Sequence, residues 1–186
     1  MDTVKYAAEI VKELQRSVER IADAQAEALA DIILRSDKVF VAGAGRSGLM
    51  GRAFAMRLMH AGLNAYVVGE TVTPGIDKSD VLIIGTGSGE TRSLIPMAQK
   101  AKSLGAAVAA VTISPESTIG QLADALVNLP GATKDQASGG GHATFQPMAS
   151  LFEQTLLIFY DAVVLRIMEK KGLDSDRMFG RHANLE

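Results

Sequence analysis

The sequence predicts an α/β fold: a doubly wound, parallel, five-stranded sheet sandwiched by helices, with one helix before it and a long helix after it. Three observations predict this. From Lys38 onward, short apolar runs alternate with stretches of helical periodicity, the pattern of repeated strand–helix units. Several of the runs, Val39–Ala42 and Val81–Ile84 among them, are apolar without alternation, as strands covered on both faces are. Glycine-rich turns then join strand to helix at Gly43–Gly48 and Gly85–Thr91, on the edge where parallel sheets place their ligands.

Taken in order, residues 1–36 contain neither proline nor glycine and read as one helix. Val4, Ala7, Val11, Leu14, Val18 and Ile21 recur three and four apart and form an apolar seam, with Glu9, Lys12, Glu13, Arg16, Glu19 and Arg20 on the other faces. Either a sheet face of the same chain or a second subunit covers that seam. Residues 1–36 are read as an oligomerisation helix within a single domain spanning 1–186. Candidate strands follow at Val39–Ala42, Ala65–Val68, Val81–Ile84, Val108–Thr112 and Ala125–Val127, and helical stretches lie at Leu49–Ala61, Ser93–Leu104 and Thr118–Ala123. Gly131–His142 is polar and glycine-rich and reads as a mobile loop. It leads into a long helix that begins near Gln146-Pro147, where proline suits the first turn, and runs to about Lys171, where Gly172 closes it. A tail ends in Phe179-Gly180-Arg181-His182-Ala183-Asn184-Leu185-Glu186.

Composition narrows the function. A chain of 186 residues can bury a core without staples, and a net charge of −2 speaks against a nucleic-acid surface. The absence of cysteine removes disulfides, thiolate nucleophiles and Cys-ligated metals. The three histidines are scattered and show no metal-ligand spacing, so no metal is expected. The N-terminus lacks the unbroken apolar core of a signal peptide, and the most apolar stretch, Leu156–Leu165, is too short to span a bilayer and carries Asp161. The expectation is a soluble cytoplasmic protein without nucleic-acid or membrane partners.

The first turn, Gly43-Ala44-Gly45-Arg46-Ser47-Gly48, matches the dinucleotide fingerprint G-x-G-x-x-G, and Glu70 stands where the ribose-binding acid would. That pattern alone describes a nicotinamide-dependent dehydrogenase. Ser47 suggests another use, since its hydroxyl and the surrounding N–H groups at a helix start suit a phosphate. The second turn, Gly85-Thr86-Gly87-Ser88-Gly89-Glu90-Thr91, crowds hydroxyls and glycines before a helix, a donor set for the several oxygens of a phosphate monoester. Ser88 or Thr91 alone would be a helix cap. The whole cluster facing Ser47 points to phosphate, and a dehydrogenase has no need of it. A third turn, Ser114-Pro115-Glu116-Ser117-Thr118, lies on the same edge of the sheet. Glu153, near the start of the long helix with Leu157 and Tyr160 at i+4 and i+7, is an acid on a face that is not plainly solvated, and is the candidate general base.

Ser47 after its glycine-rich turn, followed by Thr86–Thr91, resembles the phosphosugar motif of the sugar-isomerase (SIS) domain, a flavodoxin-like and Rossmann-like fold. Within that superfamily the sequence is similar over essentially its whole length to the 6-phospho-3-hexuloisomerases, most specifically at Val41–Gly48, Arg57-Leu58-Met59-His60, Gly85–Thr91, Gln146-Pro147-Met148, Leu151-Phe152-Glu153 and Arg181–Glu186. The resemblance implies an isomerase that interconverts D-arabino-3-hexulose 6-phosphate and D-fructose 6-phosphate through a cis-enediol, in the ribulose monophosphate pathway of formaldehyde fixation. It implies no cofactor, a homotetramer built as a dimer of dimers, and 3-hexulose-6-phosphate synthase as the pathway partner. It also implies Glu153 as the catalytic base, through the Leu-Phe-Glu match. His60 either favours the C-terminus of its helix or moves a proton, including in a neighbouring subunit's site. Ser47, Arg46, Thr86, Gly87, Ser88, Gly89, Glu90 and Thr91 are the expected substrate and phosphate ligands. His142 and His182 receive no direct role. The alternatives are a non-catalytic sugar-phosphate sensor, for which residues 1–36 provide no helix-turn-helix, and a different phosphosugar aldose–ketose isomerase.

Overall fold

The computed structural model describes residues 2–131 and 144–185. Most of the polar loop expected over 131–142, including His142, lies outside the described residues. Five parallel strands, β1 (Val39–Gly43), β2 (Ala65–Val67), β3 (Val81–Gly85), β4 (Ala107–Thr112) and β5 (Ala125–Asn128), form one sheet in the order β2-β1-β3-β4-β5. The helices are α1 (Thr3–Val18), α2 (Asp23–Arg35), α3 (Gly45–His60), α4 (Ile95–Ser103), α5 (Thr118–Leu122), α6 (Ser150–Lys171) and α7 (Ser175–Phe179).

Alternate strand residues bury on opposite faces, because successive side chains point to opposite sides of the pleat. Val39, Val41, Val81, Ile83, Ala109 and Val111 pack against α2, α3 and α6 through Leu29, Ile33, Phe54, Leu58, Phe159 and Val163. Phe40, Ala42, Leu82, Ile84, Val108 and Ala110 pack against Leu94, Ala98, Ala101 and Ile119 around α4 and α5. Both faces are apolar, which is why the strands lack polar alternation. The chain leaves β1 for α3 on one face and leaves β3 for α4 on the other. The connections therefore diverge between β1 and β3, and a crevice opens at the carboxyl ends of those strands.

Three helix boundaries differ from the expectation. The single helix over 1–36 is two, broken at Glu19–Ala22, where Ala22 is extended and Asp23 opens α2. Packing imposes the break. Glu27 and Asp31 of α2 pair with Arg166 and Lys170 of α6, and Gln25 accepts from the N–H of Asn128 at the end of β5. These ties set a direction that α1 cannot continue. Within the apolar seam Val4 and Val11 are exposed, while Leu14, Val18 and Ile21 are half-buried beside the buried Glu13 and Ser17, so the start of the seam is left uncovered by this chain. Finally, α6 starts at Ser150, not at Pro147, and α3 starts inside the glycine-rich turn at Gly45. Gly172 closes α6 at φ 61°, as expected. Among the described residues, no helix is long and apolar enough to cross a membrane.

Candidate active site

The first turn is built by a close approach of backbones. A Cβ on Gly48 would meet the carbonyl oxygen of Gly43 at 2.6 Å, so glycine here lets the start of α3 sit directly on the end of β1. Gly45, Arg46 and Ser47 form the first turn of α3, whose N–H groups have no intrahelical acceptor. Ser47 is half-buried there, with no hydrogen-bond partner for its hydroxyl among the described residues.

Across the β1/β3 crevice lies the second loop. Its carbonyls are tied backward, since Gly87 O accepts from Ile113 N–H at 3.1 Å and from the Thr112 hydroxyl at 3.1 Å, and Gly89 O accepts from Ile119 N–H at 3.2 Å. The N–H groups of Gly87, Ser88 and Gly89 donate to no acceptor among the described residues. Ser88 is exposed, and its hydroxyl oxygen accepts from Glu90 N–H at 3.2 Å. Thr86 is buried and its hydroxyl lies 3.1 Å from that of Thr91. Carbonyls turned away and N–H groups left free make an anion-binding concavity.

Glu90, expected among the substrate ligands, is bonded to the third turn. Its two carboxylate oxygens accept from the N–H (2.6 Å) and the hydroxyl (2.9 Å) of Thr118 at the start of α5, which makes it a loop tie. Ser117 in the third turn is likewise engaged, donating to Ser114 O and accepting from Gly120 N–H as the cap of α5.

Glu153 lies in the first turn of α6 and is 5% exposed. Its Oε2 accepts from Arg46 Nη1 at 3.0 Å, and the same nitrogen donates to Ser150 Oγ at 3.1 Å. Oε1 has no partner among the described residues. The adjacent Phe152 packs beneath the second loop, 3.4 Å from where a Cβ on Gly87 would stand. The α6 terminus thus touches both loops, and it brings Glu153, Arg46, Ser47 and the Thr86–Thr91 loop together at one edge of the sheet.

His60 is not brought there. It ends α3, about 20 Å along the helix from Ser47 at 1.5 Å per residue. It is buried in a cavity of about 460 Å³ lined by Arg57, Asp161, Met168, Phe179 and His182, with its ring stacked on that of His182 at 5.2 Å. Burial, then the charge of Arg57 and the neighbouring His182 ring, hold its pKa below 6.5. Arg181 of the tail donates to the carbonyl of His60 at 3.4 Å. Glu70, the acid of the dinucleotide reading, is paired with Arg52 at 2.6 Å on the surface. Among the described residues, no group of three His, Asp or Glu side chains is placed to hold a metal ion.

Two features were missed from sequence. One is the Glu90–Thr118 tie, for which an acid in a hydroxyl-rich loop gives no signal. The other is the Arg46–Glu153 pair, whose partners stand 107 residues apart.

A five-stranded β2-β1-β3-β4-β5 sheet with glycine- and hydroxyl-rich loops at its switch point defines the class, and residues 32–159 match the family model of the SIS domain; the chain belongs to that family. It is 60% identical over 186 residues, the full length of both chains, to the 3-hexulose-6-phosphate isomerase of Bacillus subtilis (strain 168). It is 41% identical over 174 residues to the 3-hexulose-6-phosphate isomerase of Mycobacterium gastri, covering 94% of this chain and 86% of that one. A solved Methanococcus jannaschii protein, whose structure infers a function as 3-hexulose-6-phosphate isomerase, superposes with a TM-score of 0.82 at 34% identity over 100% of both chains. Within the SIS family the chain stands with the 3-hexulose-6-phosphate isomerases.

Proposed function

We infer that the chain interconverts D-arabino-3-hexulose 6-phosphate and D-fructose 6-phosphate, the isomerisation of the ribulose monophosphate pathway. The observation that carries the assignment of its site is the buried Glu153 with one oxygen held by Arg46 and the other free, at the edge where two phosphate-type loops face each other. The phosphate sits on the N–H groups of Gly87, Ser88 and Gly89, the hydroxyls of Ser88, Thr86 and Thr91, and Ser47 at the start of α3. Its binding energy holds the reacting carbons at the base. Glu153 Oε1 takes the proton from C3 of fructose 6-phosphate, the carbinol carbon beside the C2 ketone, and the electron pair forms the enediolate. The same carboxyl returns a proton to C2 while the hydroxyl proton moves from O3 to O2, leaving the ketone at C3. Arg46 fixes the carboxylate and stands close enough to steady the negative charge on the enediolate oxygens. No electron leaves the substrate, and the chemistry calls for no redox cofactor.

His60 stands too far from Glu153 in its own chain, so its proton-transfer role belongs to a site shared with a neighbouring subunit. A homotetramer arranged as a dimer of dimers, with the outward apolar start of α1 at an interface, meets that requirement. The protein acts in the cytoplasm, after a 3-hexulose-6-phosphate synthase. The test is to incubate it with fructose 6-phosphate in D₂O and follow the label. Deuterium at C3, with 3-hexulose 6-phosphate appearing, and loss of both in Glu153→Gln are expected. Binding of fructose 6-phosphate without exchange in the wild type would turn the assignment toward a sensor or another sugar phosphate.

A further inference from the structure

Helix α1 lies outside the family match at residues 32–159, yet it buries a carboxylate against the rest of the chain. Glu13 is 7% exposed, and a buried charge persists only with partners. It has three. Oε2 accepts from the Thr144 hydroxyl at 2.7 Å and from Gln146 Nε2 at 2.9 Å, and Oε1 accepts from Phe145 N–H at 3.3 Å. All three donors belong to one short segment far away in sequence. Gln146 is itself buried, and its N–H donates to Thr144 Oγ1 at 3.1 Å. Tyr6 of α1 stacks on Phe145 with ring centroids 6.4 Å apart.

This grip stands directly upstream of the base. The carbonyl of Pro147 accepts from Ser150 N–H at 3.2 Å, and that of Ala149 accepts from Glu153 N–H at 3.0 Å. Between them Met148 holds φ 60°, a left-handed conformation that a non-glycine residue keeps only where its surroundings impose it. From Glu13 to Glu153 the path is therefore a run of bonded groups and one constrained turn.

We propose that Glu13 is a positioning residue for the isomerisation: its carboxylate anchors residues 144–149 so that α6 presents Ser150 and Glu153 to Arg46 and the phosphate loops. The proposal rests on Glu153 as the base. The phosphate loops make no contact in this grip, so its loss should misplace the base and spare substrate capture. A misplacement of about 1 Å costs on the order of 100-fold in rate.

The experiment is steady-state kinetics on Glu13→Ala, Glu13→Gln and Thr144→Val, with Glu153→Gln run beside them and folding followed by circular dichroism. Glu13→Ala should lower kcat by roughly 10- to 100-fold with KM for fructose 6-phosphate nearly unchanged. Glu13→Gln, whose amide oxygen still accepts from Thr144 and Gln146, should recover most of kcat. Thr144→Val cuts the other end of the link without altering α1. It should lower kcat in the same direction, and adding it to Glu13→Ala should cost less than it does alone, because only the Gln146 N–H bond to Thr144 is then left to lose. If Glu13→Ala fails to fold, the Thr144→Val result decides. Folded variants with wild-type kcat overturn the proposal, as does a Gln variant no better than Ala. A Glu153→Gln enzyme that stays active overturns the base assignment instead, and does so independently of the Glu13 series.

Discussion

Replacing Gly89 by alanine tests the second loop as the substrate's anion site. Gly89 holds φ 66°, and an added Cβ would land on the Ser117 hydroxyl. The left-handed conformation costs an L residue about 1–2 kcal/mol, and forcing the overlap costs about 1–3 kcal/mol more. Letting the loop move is comparable or cheaper. Three hydrogen bonds tie it to α5: Ile119 N–H to Gly89 O at 3.2 Å, and the Thr118 N–H and hydroxyl to Glu90 at 2.6 and 2.9 Å. At about 1 kcal/mol each they hold roughly 3 kcal/mol, and Glu90 is exposed, so water replaces its partners. Gly89→Ala should therefore displace the loop, lose about 2–3 kcal/mol in urea denaturation, and weaken fructose 6-phosphate about 10- to 100-fold by calorimetry. Gly172→Ala is the control. Its φ of 61° carries the same backbone cost, but nothing stands within 4 Å of its Cβ and it closes α6 at the far end. It should lose about 1–2 kcal/mol and bind normally. Wild-type affinity in Gly89→Ala, or equal weakening in both variants, would refute the assignment.

Three further outcomes follow from the structure. The Tyr160 hydroxyl is fully buried without a hydrogen-bond partner among the described residues, and its ring stacks on Phe54 at 4.1 Å; Tyr160→Phe keeps the stack and should be neutral or stabilising by up to about 1–3 kcal/mol in urea melts, whereas a clear loss would reveal a bonded partner. Burial, with Arg57 and His182, puts the folded-state pKa of His60 below 6.5, so the unfolded chain binds that proton first as pH falls. Its contribution is complete above pH 6.5 and lost progressively below it until the lowered folded value is passed, and His60→Phe should remove that part of the slope in urea midpoints measured against pH. Mixing inactive Glu153→Gln with His60→Gln subunits should restore activity if His60 serves a neighbour's Glu153; failure to complement, with subunit exchange confirmed by mass, would remove His60 from the shared site.

The sheet and its loops were legible because they follow from local rules. Unbroken apolar runs marked β1 and β3, and the turns after them, crowded with glycine and hydroxyl residues, marked the loops at the carboxyl edge of the sheet. Glu153 stood out as an acid on an apolar face and proved buried. Tertiary choices were not legible. The break between α1 and α2 has no proline or glycine to announce it and is set by Glu27 and Asp31 reaching Arg166 and Lys170. Periodicity found the seam of α1 but not how much of it the chain covers: Leu14 and Val18 are half-buried beside the buried Glu13 and Ser17, while Val4 and Val11 are exposed. His60 was placed correctly at the end of α3, yet periodicity alone cannot say that this end points away from Glu153.

The inward side of α1 bears on how the site is held. Phosphate ligands can sit in loops because many weak donors share one anion, and a shift of one donor is made up by the others. A base for a carbon-bound proton has no such tolerance: one atom must meet one atom. The side chains at the site differ in that way. Ser88 is exposed and the Ser47 hydroxyl has no hydrogen bond among the described residues, whereas Glu153 is buried, gripped by Arg46, and preceded by a segment that Glu13 holds through three donors. With Glu153 as the proposed base, residues that fix it should therefore show their effect in kcat, and residues of the loops in KM. The Glu13 and Gly89 variants separate those two quantities.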